Sequence, residues 1–283
     1  MISRREYLES SSSLRSGAPR STPDLVVEAN DQAASPVGHL EPLLGLLVGL
    51  AAWEVAGRAL HYSFLPPLSS VLGAVPGLIA HDRLLEYLGA SLMSLMIGYL
   101  LSASSGVALG LLMGRYRALG YAVEPFISAL LAAPKLAFVP LLFALFGAGR
   151  GAQVSVVFMN AFFIIAISTM DGIRSVNASY VDMARTFGAT ERQVFWKVLL
   201  PATLPTTMAG LRVGVIRAVK GMVKGEMFIA VFGVGALLRR YGSRFDSERV
   251  YAILLVIIII ALVCSVVMGQ IERRVAAWTE CRS

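Results

Sequence analysis

An all-α membrane protein of about six transmembrane helices is the fold class that this sequence predicts, and three observations predict it. Of its 283 residues, 56% are hydrophobic and only 15% are charged. Three runs carry no charge at all: 28 residues from Tyr87 to Gly114, 20 from Gly151 to Met170 and 22 from Val250 to Ile271. A helix needs roughly 20 apolar residues to cross about 30 Å of hydrocarbon, so each run is long enough to span. The third observation is a polar stretch between apolar segments, Asp182 to Pro201, whose Asp182, Arg185, Glu191, Arg192 and Lys197 are too closely spaced to enter lipid.

Residues 1–38 read as a flexible tail, serine-rich and of mixed charge, ahead of a transmembrane domain at 39–278. The first apolar run begins near Leu40 rather than at the start, which does not fit a cleaved leader. The first span is expected over 40–60, with Trp53 as an interfacial anchor and Glu54 and Arg58 at i,i+4 spacing. Residues 68–88 read as an amphipathic surface helix on the outer side, broken by Pro76, His81, Asp82, Arg83 and Glu86. The second span, 88–114, carries Gly106, Gly110 and Gly114 four residues apart, a device that lets another helix approach closely in lipid.

Pro125, Pro134 and Pro140 interrupt the third span, 121–146, with Lys135 beside the middle one, so it is expected to be kinked or broken. Gly147, Gly149 and Gly151 turn the chain into the fourth span, 152–171, which contains Asn160 and ends at Asp171. The fifth and sixth spans are expected at 206–230 and 250–271. With both termini cytoplasmic, 13 basic residues fall inside and six outside, which is the favoured sense of the positive-inside rule. The exception is the last outer loop, with Arg239, Arg240, Arg244 and Arg249. The net charge of +7 suits anionic lipid and gives no indication of nucleic acid.

Within the polar stretch, Met183, Phe187, Val194, Phe195 and Val198 form an apolar stripe. Gly188 and the Ala189-Thr190 pair interrupt it, which predicts two short helices joined at a glycine turn, closed by Pro201 and Pro205. Asp182-Met183-Ala184, Gly188, Val198 and Leu200-Pro201 stand at the spacing of the E-A-A loop of ATP-binding-cassette (ABC) importer permeases, with Asp in place of Glu and Met in place of the first Ala. Trp53-Glu54 followed by Phe64-Leu-Pro-Pro67 resembles the start of the nitrate/sulfonate/taurine branch. The resemblance covers about residues 40 to 278. It implies that Asp182, Ala184, Gly188, Ala189, Leu200 and Pro201 belong to a cytoplasmic coupling helix. It also implies cytoplasmic ABC ATPase subunits, a second permease copy, an extracytoplasmic solute-binding protein and a location in the cytoplasmic membrane.

No phosphate-binding Gly-x-x-x-x-Gly-Lys-Ser/Thr occurs, because Lys220-Gly221 and Lys224-Gly225 lack that pattern. ATP is therefore expected on a partner subunit, with no cofactor or metal held by this chain. The three histidines are scattered and the cysteines, Cys264 and Cys281, show no metal spacing. The fifth span is unusual in carrying Arg212, Arg217, Lys220, Lys224 and Glu226. At 100° per residue, Arg217, Lys220 and Lys224 fall within about 60° of one another, while Glu226 lies about 180° from Arg217. The stripe, with Glu226, is the candidate translocation path for an anion such as a sulfonate or nitrate; snorkelling, or pairing with Asp171 or Glu226, is its alternative. An ion-coupled secondary transporter is the rival function, and it would need no coupling stretch. An intramembrane enzyme lacks a partner for Ser104-Ser105.

Overall fold

The computed structural model describes residues 40–60, 62, 64–229 and 233–280. The expected tail, 1–38, and Cys281 lie outside them. The chain divides into two compact units, 1–56 and 57–283. Of the first, only the start of α1 (Leu40–Leu60) is described. The described residues are helical throughout, without a strand.

In the second unit, α2 (Leu68–Ala80) precedes α3 (Leu84–Arg115), α4 (Arg117–Ala132) and α5 (Val139–Phe146). The central α6 (Arg150–Arg174) leads to the short α7 (Ala178–Thr186) and α8 (Glu191–Val194). Then come α9 (Leu200–Ile229), α10 (Gly233–Gly242) and α11 (Ser247–Glu280). Among the described residues, four helical stretches are long and apolar enough to cross a bilayer: 84–115, 150–174, 191–228 and 247–274. A fifth exists if α4 and the segment from Lys135 to Phe146, bent by 94° at their junction, count as one broken span. The first expected span coincides with α1, which lies outside that count.

Three expectations from the sequence are corrected. The surface helix at 68–88 is two elements: α2 runs through Pro76 and ends before His81, and Arg83, in the left-handed region at φ 53°, turns the chain into a span that starts at Leu84. The span also begins earlier than expected because Glu86 is tolerated in its first turn. Finally, Pro201 and Pro205 do not close the polar stretch. Residues 195–199 form a π-helical turn in which Leu200 donates to the Phe195 carbonyl, and helix continues from Glu191 to Phe228. The wider turn carries the ladder past the place where Pro201 has no N–H to give and would crowd the carbonyl four residues back.

The core is α6 between two helices. Along α3, a Cβ added at Gly98 would lie 2.7 Å from Val157, at Gly106 3.1 Å from Ile165, at Gly110 2.5 Å from the Ala166 carbonyl, and at Gly114 2.6 Å from Ile173. On the other side, α9 presents Gly210 to Ser168, Gly214 to Ile165, Gly221 to Asn160 and Gly225 to Val156. Small residues thus bring three backbones together where lipid offers no hydrophobic drive for association. The bent α4 packs on the same helix through Ile127, in a cluster with Met113, Phe163, Ala166 and Met170. Helix α11 packs against α9, α10 and α2.

Overpacking this contact is expected to cost about 1–3 kcal/mol. Gly110→Ala should therefore lower the thermal midpoint in detergent, whereas Gly89→Ala on the same helix, with open space around it, should leave the midpoint unchanged.

Candidate functional site

Two places gather the polar residues that the sequence singles out. The first is the hairpin of α7 and α8. Asn177 caps α7 by accepting from the Ser179 N–H (2.9 Å), and Thr190 with Gln193 forms a capping box on α8. Between them the Gly188 N–H donates to the Arg185 carbonyl (2.8 Å) and the Ala189 N–H to the Ala184 carbonyl (3.0 Å). Gly188 holds φ 78°, the left-handed helix end that glycine adopts without strain, and nothing lies within 4 Å of its absent Cβ.

Glu191 ties the hairpin together. Arg185 donates to it at 2.9 Å and Arg115, at the end of α3, at 3.2 Å, with the Arg115 guanidinium also over the Phe195 ring. Exposed pairs of this kind contribute about 0–1 kcal/mol each, so their effect is orientation. Val194 is the buried anchor. Asp182 is exposed and within 3.7 Å of Arg185, while Leu200 and Pro201 stand in the helix that leaves the hairpin. Tyr180, Met183, Phe187 (85% exposed) and Trp196 project outward, so part of the predicted apolar stripe faces away from the protein.

The second place is a cavity of about 430 Å³ lined by Ala133, Pro134, Lys135, Leu136, Val139, Val156, Asn160, Arg217, Lys220 and Lys224. The three cations of the predicted stripe are brought together here. Lys135, from the break between α4 and α5, joins them and donates to the Leu131 carbonyl at 2.9 Å. Asn160 donates to the Val156 carbonyl (2.8 Å) and lies beside Gly221, whose missing side chain makes room for it. Among the described residues no carboxylate lines the cavity, and no ion pair is formed by Arg217, Lys220, Lys224 or Lys135. The pairing of the stripe with Asp171 or Glu226 is therefore not found.

Glu226 is elsewhere. It is 0% exposed and accepts from the Gln153 side chain and from the Gly235 N–H at 2.9 Å. Ser94 donates to Gln153 (2.9 Å), and the Val234 N–H donates to Ser91 (3.0 Å). The result is a buried polar joint between α3, α6, α9 and the first turn of α10, whose free N–H groups it satisfies. Arg212 faces Glu272 of α11 at 3.5 Å. Lys135, Glu191 and Gln153 were not picked out as site residues from the sequence. Only Lys135 carried a signal, a cation next to a proline inside an apolar run.

A helical bundle with a cation-lined cavity and an exposed polar hairpin fits a transport subunit, and known proteins agree. Residues 106–277 match the family described as binding-protein-dependent transport system inner membrane component. The chain belongs to this family. The formylaminopyrimidine transport permease protein ThiX of Halalkalibacterium halodurans is 31% identical over 241 residues, 84% of this chain and 96% of that protein. The taurine transport system permease protein TauC of Escherichia coli is 30% identical, over 80% and 84%. The nitrate import permease protein NrtB of Leptolyngbya laminosa is 32% identical, over 66% and 67%. Among solved structures, the MetNI methionine ABC transporter in an inward-facing conformation matches with a TM-score of 0.58 at 20% identity, covering 71% of this chain and 98% of that one. That likeness concerns the fold.

The chain is thus a membrane permease subunit of an ABC importer in the nitrate/sulfonate/taurine branch, and the secondary-transporter reading falls away. Glu226→Ala is expected to strip the buried joint of its acceptor and strand the Gln153 and Gly235 donors. The loss should be about 2–6 kcal/mol at about 1–3 kcal/mol for each of the two orphaned groups, read as a lowered thermal midpoint in detergent.

Proposed function

We propose that this permease carries a small anionic solute, of the sulfonate or nitrate class, across the cytoplasmic membrane at the expense of ATP hydrolysed on separate subunits. The observation that carries the reading is the cavity, where four cations from two elements converge with no carboxylate among the lining residues. A charge inside a span costs about 2.5–3.5 kcal/mol on insertion scales, so a cluster persists where water or a counter-ion meets it. An anion supplies the missing counter-charge, whereas a cation would find none. Relatives named for taurine and nitrate support the anionic class.

In this reading both termini are cytoplasmic and the hairpin with Asp182, Ala184, Gly188, Ala189, Leu200 and Pro201 is the coupling helix. Its exposed Phe187 and Met183 enter a groove on a cytoplasmic ABC ATPase subunit. The chain itself binds no cofactor and catalyses no covalent step. A second, identical copy completes the membrane domain, and a solute-binding protein delivers the solute from outside. Arg217, Lys220 and Lys224 line the path. Glu226 serves it indirectly, by fixing the end of α9 so that Lys224 stays on the cavity side.

Hydrogen bonds to a charged group contribute about 1.5–3 kcal/mol each, so removing two should weaken the anion by well over tenfold. Proteoliposomes holding the permease with its ATPase and binding protein provide the assay, with nitrate and ethanesulfonate as solutes. Lys220→Ala combined with Lys224→Ala should raise KM for the transported anion by that factor. An unchanged KM would overturn the anion reading.

A further inference from the structure

The hairpin and the broken span are far apart in sequence, yet one residue joins them. Arg174 is the last residue of α6, and only Ser175, Val176 and Asn177 separate it from α7. That connection is taut. Ser175 N–H donates to the Asp171 carbonyl (2.9 Å), Val176 N–H to the Ile173 carbonyl (3.3 Å), the Ser175 hydroxyl to the Gly172 carbonyl (2.9 Å), and Asn177 caps the helix that follows. A displacement of α7 therefore has little slack to take up before it reaches Arg174.

From the end of α6, the Arg174 guanidinium reaches α4 in three ways. It donates to Glu124 at 2.7 Å, lies 5.8 Å from the centre of the Tyr121 ring, and rests against Gly120, where any side chain would collide with it. Charge, ring and absent Cβ all fall within one and a half turns of α4. An ion pair alone at a partly exposed position is weak, but this one is accompanied by the ring contact and by close packing of the guanidinium on Gly120. Eight residues beyond Glu124, about 12 Å along the helix axis, α4 ends at Ala132 and the chain bends by 94°. Lys135 enters the cavity at that bend.

We infer that the Arg174–Glu124 contact is the mechanical link that carries movement of the hairpin into the broken span and so to Lys135 at the cavity. Both are positioning residues, since neither touches the solute. Helix α6 is packed closely against glycines of α3 and α9 along its length, which gives Arg174 a fixed base, while the break in the α4–α5 span is the place where a push on α4 becomes a change at the cavity. The inference rests on the proposal that an ATPase subunit grips the hairpin.

The test follows two reporter positions in the purified complex of this chain with its ATPase, needing no solute. In a chain with Cys264→Ser and Cys281→Ser, Ala137→Cys, an exposed position at the break beside the cavity-lining Leu136, reports the break. Tyr180→Cys, exposed on α7, reports the hairpin. Maleimide labelling rates are compared without nucleotide and with ATP and vanadate. In the parent, ATP should change the rate at position 137 by about fivefold or more, the lower range of measured couplings between sites. Glu124→Gln should abolish that change while the ATPase still shields position 180. Exchanging the charges, Arg174→Glu with Glu124→Arg, should restore part of it, which a merely structural role would not require. An ATP response at position 137 that survives Glu124→Gln overturns the link. If position 180 is never shielded by the ATPase, the docking proposal itself fails and takes the inference with it.

Discussion

A bilayer gives one apolar helix no reason to prefer another helix over lipid, so association depends on how closely backbones can approach. In this protein that closeness is concentrated on α6. Gly98, Gly106, Gly110 and Gly114 admit it on one side, and Gly210, Gly214, Gly221 and Gly225 on the other. Everything with a functional reading is hung from this one helix. Gln153 near its start meets Glu226, Asn160 in its middle faces the cavity, and Arg174 at its end holds α4 and leads directly into the hairpin. A wider spacing at any of these glycines would separate groups that now lie within hydrogen-bond reach.

The same geometry accounts for the charges in α9. Gly221 and Gly225 alternate with Lys220 and Lys224, so the face that packs on α6 is small while the neighbouring face is cationic. The cavity lies where the chain bends by 94° between α4 and the segment from Lys135 to Phe146 instead of continuing straight. The hairpin is also continuous with this helix. The π turn at 195–199 removes the break that Pro201 would otherwise impose and helix continues through Pro205, so one helical stretch runs from the capping box at Thr190 to the buried carboxylate at Glu226. The hairpin and the cavity-lining Lys220 and Lys224 thus belong to one continuous helical stretch.

Much of this was legible in the chain. The four-residue glycine spacing of α3 announced a close helix contact, the prolines around Lys135 announced a broken span, and Gly188 with its fixed neighbours announced the hairpin. Those signals are local, which is why they survive without a structure. What could not be read is which elements meet. The second glycine stripe was hidden among the cations of α9, and the helical wheel put Glu226 opposite Arg217 without revealing Gln153 and the α10 turn waiting there. Pro201 and Pro205 misled for a physical reason: a proline ordinarily stops a helix, and the π turn that accommodates Pro201 leaves no mark in composition. Lys135 joined the cavity cations only because the 94° bend carries it there.

The claim on which the rest depends is that the hairpin is the handle of an ATP-driven transporter. The direct measurement is co-purification of the tagged permease from membranes with its ATPase, together with the ATP hydrolysis of the isolated complex. Gly188→Asp is the informative variant. The site is open, so the substitution adds a charge and about 1–2 kcal/mol of left-handed strain at the tip without disturbing the core. The account predicts that the parent retains the ATPase and hydrolyses ATP, while the variant stays folded but loses both. A permease that never retains an ATPase, or a Gly188→Asp variant that retains it fully, would contradict it.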